Sequence, residues 1–163
     1  EMKEKKERVN DAVAATKAAI EEGIVPGGGV VLLRARSVLE KVKKELTYDD
    51  EKVGVDILFH ALSEPIRWIA QNAGADPGWV LNKVEEAKVA DYGFDAMTMK
   101  FGQMLASGIV DPAKVTRLAL QNAVSIGAMV LTTEALITDI PEKKDAPSMP
   151  PGGMSGMGGM GDY

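Results

Sequence analysis

Two features near the start of the sequence have residue types that could do chemistry: a lone acidic residue, Asp11, and a run of three glycines, Gly27 to Gly29. Asp11 lies in a stretch with apolar residues at helical spacing, and it points away from that apolar stripe. Gly23 stands where such a helix would end. Three glycines let the backbone approach another group closely, and the apolar segment after them is predicted to be helical. A helix that begins at a glycine turn presents free N–H groups, which suit an anion.

The pattern alone also allows two plainer interpretations. Asp11 can be an ordinary residue on a solvated helix face, and the triple glycine can be a tight turn between two helices. Neither the phosphate-binding pattern GxxxxGK[ST] nor the dinucleotide pattern GxGxxG occurs in the sequence. The residue types therefore suggest a phosphate or nucleotide site without identifying one.

Composition excludes several other kinds of site. The 163 residues amount to one domain, 26% charged and 45% hydrophobic, with a net charge of −5 that argues against nucleic acid as a partner. There is no cysteine and the only histidine is His60, so thiolate zinc sites and multi-histidine metal sites are excluded, and most Ser–His or Cys–His catalysis with them. No apolar run is predicted to span a membrane, and no signal peptide is visible. Because the chain starts at Glu1, we expect it to be a piece of a longer protein.

The elements that must position these residues are mainly helices. We predict a helix ending at Gly23, a second from about Val30 to Val42, and a third from about Glu51 to Asn72 with a kink at Pro65 near Ser63. Asp76 and Pro77 are typical of the start of a further helix. The segment 91–96, DYGFDA, is predicted to be a short strand or β-turn, and 97–105 is short and amphipathic.

The last third of the chain contains the longest helical pattern. Asp111 as N-cap and Pro112 as first helical residue are predicted to open it, and its apolar residues lie on nearly all sides, which is typical of a helix in the middle of a core. The segment 136–140, LITDI, alternates like a strand, and we expect it to pair with a partner strand from another subunit. From Glu142 the sequence is rich in Pro, Gly and Met and is predicted to be disordered.

Several motifs, taken together and in order, resemble one known family. ERVNDA, VPGGGV, GFDAMT, SGIVDPAKVTRLAL, LTTEALITDIP and a Gly-Gly-Met tail cover essentially the whole chain. The chain resembles the GroEL-type (group I) chaperonins, where their sequence returns to the equatorial domain. The resemblance implies a mainly α, multihelical fragment with short β elements. Its expected parts are the end of an intermediate domain (1–21), the C-terminal half of an equatorial ATP-binding domain (22–141) and a flexible Gly-Gly-Met tail (142–163).

The resemblance also implies roles for individual residues. Asp11 matches the acidic residue that orients the attacking water for ATP hydrolysis, a step that depends mainly on positioning. Gly28, with Gly27 beside it, matches a backbone contact to the nucleotide. Asp95 and Ala96 match the pair near the adenine, and Asp111 matches the ribose-binding carboxylate. The expected cofactors are ATP and Mg²⁺, with the metal ligand outside this chain and no metal site within it.

These roles imply an ATP-dependent chaperonin that encloses and helps refold nonnative polypeptides. The expected partners are further copies of the chain in stacked rings, a ring-capping cochaperonin and unfolded clients, without nucleic acid or membrane, in bacterial cytoplasm or an organelle matrix. The fragment alone, with half of a nucleotide site, is expected to bind ATP weakly and not to hydrolyse it. The alternative is a helical oligomerisation or scaffold module without nucleotide chemistry.

Overall fold

The fold of the chain is mainly helical, with two small two-stranded sheets. A computed structural model describes residues 1–140, so the predicted disorder of the Gly-Gly-Met tail lies outside the described residues. In chain order the elements are α1 (Met2–Glu22), β1 (Ile24–Pro26), α2 (Val30–Glu45), α3 (Asp49–Ala61), α4 (Glu64–Asn72), α5 (Pro77–Glu86), β2 (Tyr92–Asp95), β3 (Lys100–Gln103), β4 (Val110–Pro112) and α6 (Ala113–Thr132).

Several helix boundaries follow from local chemistry and confirm the sequence predictions. Helix α1 ends at Gly23, which has φ +83° and whose N–H donates to the carbonyl of Ala19. The predicted kink near Ser63 is a complete break, because α3 ends before it and α4 begins after it with Pro65 in the first turn. The carboxylate of Asp76 accepts the N–H of Trp79 at 2.6 Å and caps α5.

The core lies between α2, α4, α5 and the β2–β3 hairpin, while α1 and α6 pack against each other beside it. Helices α2, α4 and α5 each supply two buried residues and the hairpin region supplies two more, so the core joins segments far apart in the sequence. The buried cluster consists of Val30, Leu33, Ile66, Ala70, Val80, Val84, Phe94 and Met104.

The two sheets bring distant parts of the chain together. Strands β1 and β4 pair antiparallel, with Val25 opposite Asp111, although they come from opposite ends of the described chain. Strands β2 and β3 form an antiparallel hairpin in which Asp95 lies opposite Lys100. The segment 97–105, whose amphipathic pattern gave no sign of a strand, therefore supplies the second half of this hairpin.

Two expectations about the last third of the chain are wrong, and a third is not met within this chain alone. Asp111 is not an N-cap, because it lies within β4, and α6 begins at Ala113 with Pro112 as its N-cap. No residue of α6 is buried, so the helix is not in the middle of a core of these residues. The segment 136–140 forms no strand within the described chain, where Leu136, Ile137 and Ile140 are at least 90% exposed. Its pairing as a strand with another subunit stays a prediction.

Helix α6 also departs from the prediction that no apolar run could span a membrane. Of the helices in residues 1–140, Ala113–Thr132 is the one that is long and apolar enough to do so by length and composition. That observation alone is weak, because core helices of soluble proteins have the same composition. Its first turns are polar and ion-paired: Lys114 contacts Glu21, and Arg117 contacts Glu22 at 2.6 Å.

Candidate functional site

The triple glycine forms the turn between β1 and α2 and packs tightly against two other segments. The N–H of Gly27 donates to the carbonyl of Ile109 at 3.0 Å, which extends the β1–β4 ladder by one bond. Gly28 and Gly29 have φ of +69° and +78°, a region that favours glycine. A Cβ on Gly29 would lie 2.8 Å from the backbone nitrogen of Ile66. The turn therefore needs glycine for both conformation and close approach.

A pocket of about 420 Å³ opens beside this turn. It brings together three of the predicted site residues, Gly28, Asp95 and Ala96, from the glycine turn and from the end of β2. Most of its surface is apolar, with one carboxylate and one hydroxyl, which suits a flat apolar group with a polar edge such as a nucleobase. The complete lining is Gly28, Ile69, Phe94, Asp95, Ala96, Met97, Ser107 and Ile109.

Asp95 is fixed by the turn that it opens. Its Oδ1 accepts the N–H of Met97 at 2.9 Å, and its Oδ2 accepts the hydroxyl of Thr98 at 2.6 Å. The hydrogen bond from the Thr98 hydroxyl, followed by the one from the Met97 N–H, holds the pKa of Asp95 below its ordinary value. Asp95 is therefore an anchored, ionised acceptor at the edge of the pocket.

Asp111 is a half-buried carboxylate without a donor. It lies in β4 opposite Val25, and within residues 1–140 no group donates a hydrogen bond to its side chain. Burial raises the pKa of Asp111 above its ordinary value. Ile109, two residues earlier, lines the pocket, whereas Asp111 itself is not among the lining residues. A desolvated acid without a partner beside a pocket is typical of a binding residue.

Asp11 is not brought to the pocket. It is exposed on α1, twelve residues before Gly23, which places it roughly 18 Å along the helix axis from that glycine. The C-terminal turn of α1 is fixed to the start of α6, because the guanidinium of Arg117 makes two hydrogen bonds to Glu22, at 2.6 and 3.0 Å. The N–H of Ala113 also donates to the carbonyl of Gly23 at 3.0 Å. Only movement of α1 could bring Asp11 near the pocket.

The described part of the chain holds no cluster of three His, Cys, Asp or Glu side chains that could bind a metal ion. Asp111 is a single carboxylate, and Mg²⁺ in nucleotide sites needs only one or two protein carboxylates together with phosphate oxygens. The placement of the Mg²⁺ ligand outside this chain stays a prediction.

Several pocket residues were not singled out from the sequence. Ile69, Phe94 and Ile109 supply the apolar walls, yet each looks like an ordinary core residue in the sequence. One sequence feature pointed to a close packing contact near the pocket: Gly93 is a glycine between two aromatic residues. A Cβ there would lie 2.5 Å from Cγ2 of Val30, so Gly93 is where the hairpin and α2 come closest.

Two comparisons identify what the chain is similar to. Residues 1–141 match the TCP-1/cpn60 chaperonin family. Among solved structures, the chain is similar to a group III chaperonin in the open state, with 32% sequence identity and a TM-score of 0.67 over 74% of this chain. The match covers 25% of that chaperonin's chain, so this chain spans about a quarter of its length. The mainly helical fold and the chaperonin family agree with the sequence predictions, while the GroEL-type (group I) assignment stays a prediction. This chain belongs to the TCP-1/cpn60 chaperonin family.

Proposed function

We propose that the chain supplies the adenosine end of an ATP site in a chaperonin of the GroEL type. The observation that carries this proposal is the pocket in which Gly28, Asp95 and Ala96 meet, since these residues come from segments far apart in the sequence. In this proposal residues 1–21 belong to an intermediate domain and residues 22–141 to an equatorial ATP-binding domain. The predicted tail, 142–163, lies outside the described residues.

The proposed nucleotide pose follows the chemistry of the walls. The base lies against the apolar surfaces of Ile69, Phe94 and Ile109, with its polar edge toward Asp95 and Ala96. The unpaired carboxylate of Asp111 accepts hydrogen bonds from ribose hydroxyls. The backbone of Gly28 lies at the N-terminus of α2, where free N–H groups suit phosphate oxygens. Gly27 holds this turn in place, because its own N–H donates to the carbonyl of Ile109.

Asp11 has the proposed role of orienting the attacking water, although it is remote from the pocket. The role requires α1 to swing toward the site. Gly23 is suited to be the pivot, because it has positive φ and a Cβ there would meet nothing within 4 Å. The ion pairs of Glu21 and Glu22 with α6 hold the helix in the described position. Mg²⁺, when bound, would neutralise phosphate charge, and this chain's part is to hold the adenosine and place the water.

The proposed activity of the whole protein depends on a nucleotide site of which this chain supplies one part. Members of the family are chaperones that hydrolyse ATP, and we propose that this protein couples ATP binding to opening and closing of stacked rings that enclose nonnative polypeptides, with a capping cochaperonin. The exposed apolar surfaces of α6 and of 136–140 support burial against other protein parts. We propose bacterial cytoplasm or an organelle matrix as its location, without membrane insertion of α6, whose first turn is ion-paired to α1.

Isothermal calorimetry with Mg-ATP tests the proposal. The chain alone should bind weakly and show no turnover, whereas the chain mixed with the missing remainder of a chaperonin subunit should bind tightly. Asp111→Ala should abolish binding in the mixture, and Asp11→Ala should stop hydrolysis while leaving binding largely intact. A folded mixture that binds no nucleotide would contradict the proposal, and so would chaperonin-like ATPase activity of the chain alone.

A second function, a helical oligomerisation module, is favoured by one observation. An apolar groove of about 360 Å³ lies between α3 and α6, lined by residues such as Leu58, Ala61 and Leu120. A module of this kind would self-associate through the groove regardless of nucleotide. Analytical ultracentrifugation with and without ATP separates the two functions, because only the chaperonin assignment predicts a nucleotide site split between chain segments.

A further inference from the structure

The turn between β2 and β3 contains a residue that does not line the pocket but holds the residues that do. The hydroxyl of Thr98 donates to Oδ2 of Asp95 at 2.6 Å. The backbone N–H groups of Met97 and Thr98 donate to Oδ1 of the same carboxylate, at 2.9 and 3.4 Å. Both oxygens of Asp95 thus bind the far side of the turn, and the rim that this holds, Asp95 to Met97, forms one side of the pocket.

The turn closes through a strained residue. Met99 has φ +58°, the one non-glycine residue of the described chain with positive φ, and a left-handed conformation costs about 1–2 kcal/mol for such a residue. Strain of this kind persists where surrounding bonds determine the backbone. The bonds of Asp95 immediately precede Met99, while the Met97 and Thr98 side chains are exposed and receive no support from packing.

We propose that Thr98 is a positioning residue for the nucleobase, acting through the carboxylate of Asp95. The inference rests on the proposed nucleotide site. With its hydroxyl bonded to Oδ2, Thr98 fixes the rotation of the carboxylate and therefore the direction of the lone pairs that remain free. An ionised carboxylate offers acceptors only. The rim accordingly favours a purine edge that donates a hydrogen bond, the 6-amino group, over one that carries a 6-oxo oxygen.

The experiment uses the 163-residue chain and two nucleosides, adenosine and inosine. At purine position 6 adenosine carries an amino donor and inosine an oxo acceptor, and inosine also carries a proton on N1. Titrations followed by ¹H–¹⁵N NMR give the dissociation constant of each nucleoside from the amide shifts of Gly28, Ala96 and Met97. Thr98→Val keeps the shape of the side chain but removes its hydroxyl. Thr98→Ser restores the hydroxyl, and Thr132→Val makes the same change at an exposed threonine on α6.

We expect Thr98→Val to weaken adenosine binding by about three- to tenfold and to reduce the preference for adenosine over inosine. Its Tm should stay within about 3 °C of wild type, because the residue is exposed. Thr98→Ser and Thr132→Val should both bind like wild type. Loss of affinity without a change in the nucleoside ratio would reveal a merely structural role and overturn the proposal.

Failure of this inference is distinguishable from failure of the proposed function. If wild type binds adenosine at the pocket amides and Thr98→Val binds it equally well, the positioning role is wrong and the nucleotide site stands. If saturating adenosine moves no pocket amide in wild type, the nucleotide site itself is wrong, and the role of Thr98 falls with it.

Discussion

Gly93 and Val30 lie so close that no side chain fits between them: a methyl group on Gly93 would come within 2.5 Å of Cγ2 of Val30. It would also lie 2.8 Å from Cγ of Met104. Val30 and Met104 are both fully buried, so neither can move aside without disturbing the core. This contact fixes the hairpin that carries Asp95 against the helix that follows the glycine turn, and so sets the width of the pocket.

Gly93→Ala should therefore destabilise the protein by about 1–3 kcal/mol through overpacking. The matched control is Gly102→Ala, because Gly102 lies directly opposite in the hairpin and a Cβ there would meet nothing within 4 Å. Urea unfolding followed by circular dichroism gives both free energies. Equal effects of the two substitutions would show that the β-strand backbone, and not the contact with Val30, causes the loss.

Gly29→Ala should be more damaging than Gly28→Ala, although both glycines have positive φ. At Gly29 the added methyl would also lie 2.8 Å from the backbone nitrogen of Ile66, whereas at Gly28 its nearest neighbour would be 3.7 Å away. We expect the free energy of unfolding to fall by about 1 kcal/mol for Gly28→Ala, from backbone conformation alone, and by several kcal/mol for Gly29→Ala. Gly54→Ala, in α3 with open space around it, should stabilise by up to about 1 kcal/mol. Thermal unfolding of the three variants would contradict the prediction if Gly28→Ala had the lowest Tm.

Arg34 on α2 caps the C-terminus of α5. The two N–H hydrogens of its Nη2 are shared among the carbonyls of Val84, Ala87 and Val89, which lie 2.8, 3.1 and 3.0 Å from Nη2, so Arg34 binds the end of the helix and the loop leading to β2. We expect Arg34→Met to lower the free energy of unfolding by about 2–3 kcal/mol, because a charge-assisted donor is lost and carbonyls are left unpaired. Arg34→Lys should keep only part of this stabilisation, since an ammonium group lacks the planar set of donors of a guanidinium.

The control for Arg34 is Arg8→Met. Among residues 1–140, Arg8 pairs only with Glu4, on the exposed surface of α1, so its loss should change stability by less than about 0.5 kcal/mol. Hydrogen exchange of the amides at the end of α5 and in the following loop provides a second measurement. Protection that stays at the wild-type level in Arg34→Met would rule out the capping role.

Asp111 should make stability depend on pH in the direction opposite to a salt-bridged acid. Burial raises its pKa above the ordinary 3.8, so the folded state holds the proton more tightly than the unfolded state. The free energy of unfolding should fall as pH rises from 3.8 through the raised pKa, and then stay level. Asp111→Asn should be more stable than wild type at pH 7, with the difference lost below pH 3.8.

The same substitution should weaken ATP binding in the mixture with the remaining subunit sequence, because the amide loses the charge and one acceptor. A residue that costs stability while it supports binding is typical of a functional site. An Asp111→Asn protein that is less stable than wild type at pH 7 would show that the carboxylate has a structural partner instead.

Much of the local structure was predictable because it depends on neighbouring residues. The end of α1 at Gly23, the break that Pro65 helps to form and the cap of α5 by Asp76 each follow from conformational limits or hydrogen bonds within a few residues. The triple glycine was also recognisable as a close approach of backbone. The family's motifs named Asp95 and Ala96, and the structure places both at the pocket with Gly28.

The sequence by itself determined most of the helices, the cap of α5 by Asp76 and the glycine turn, since these depend on residues within one or two turns of each other. Only the tertiary structure decided that Val110–Pro112 pairs with Ile24–Pro26, which converts Asp111 from a predicted helix cap into a half-buried strand residue. The tertiary structure likewise decided that β2 pairs with β3, which positions Thr98 against Asp95, and that α6 is exposed. Strand pairing and burial depend on contacts between segments far apart in the chain, and no local propensity encodes such partners.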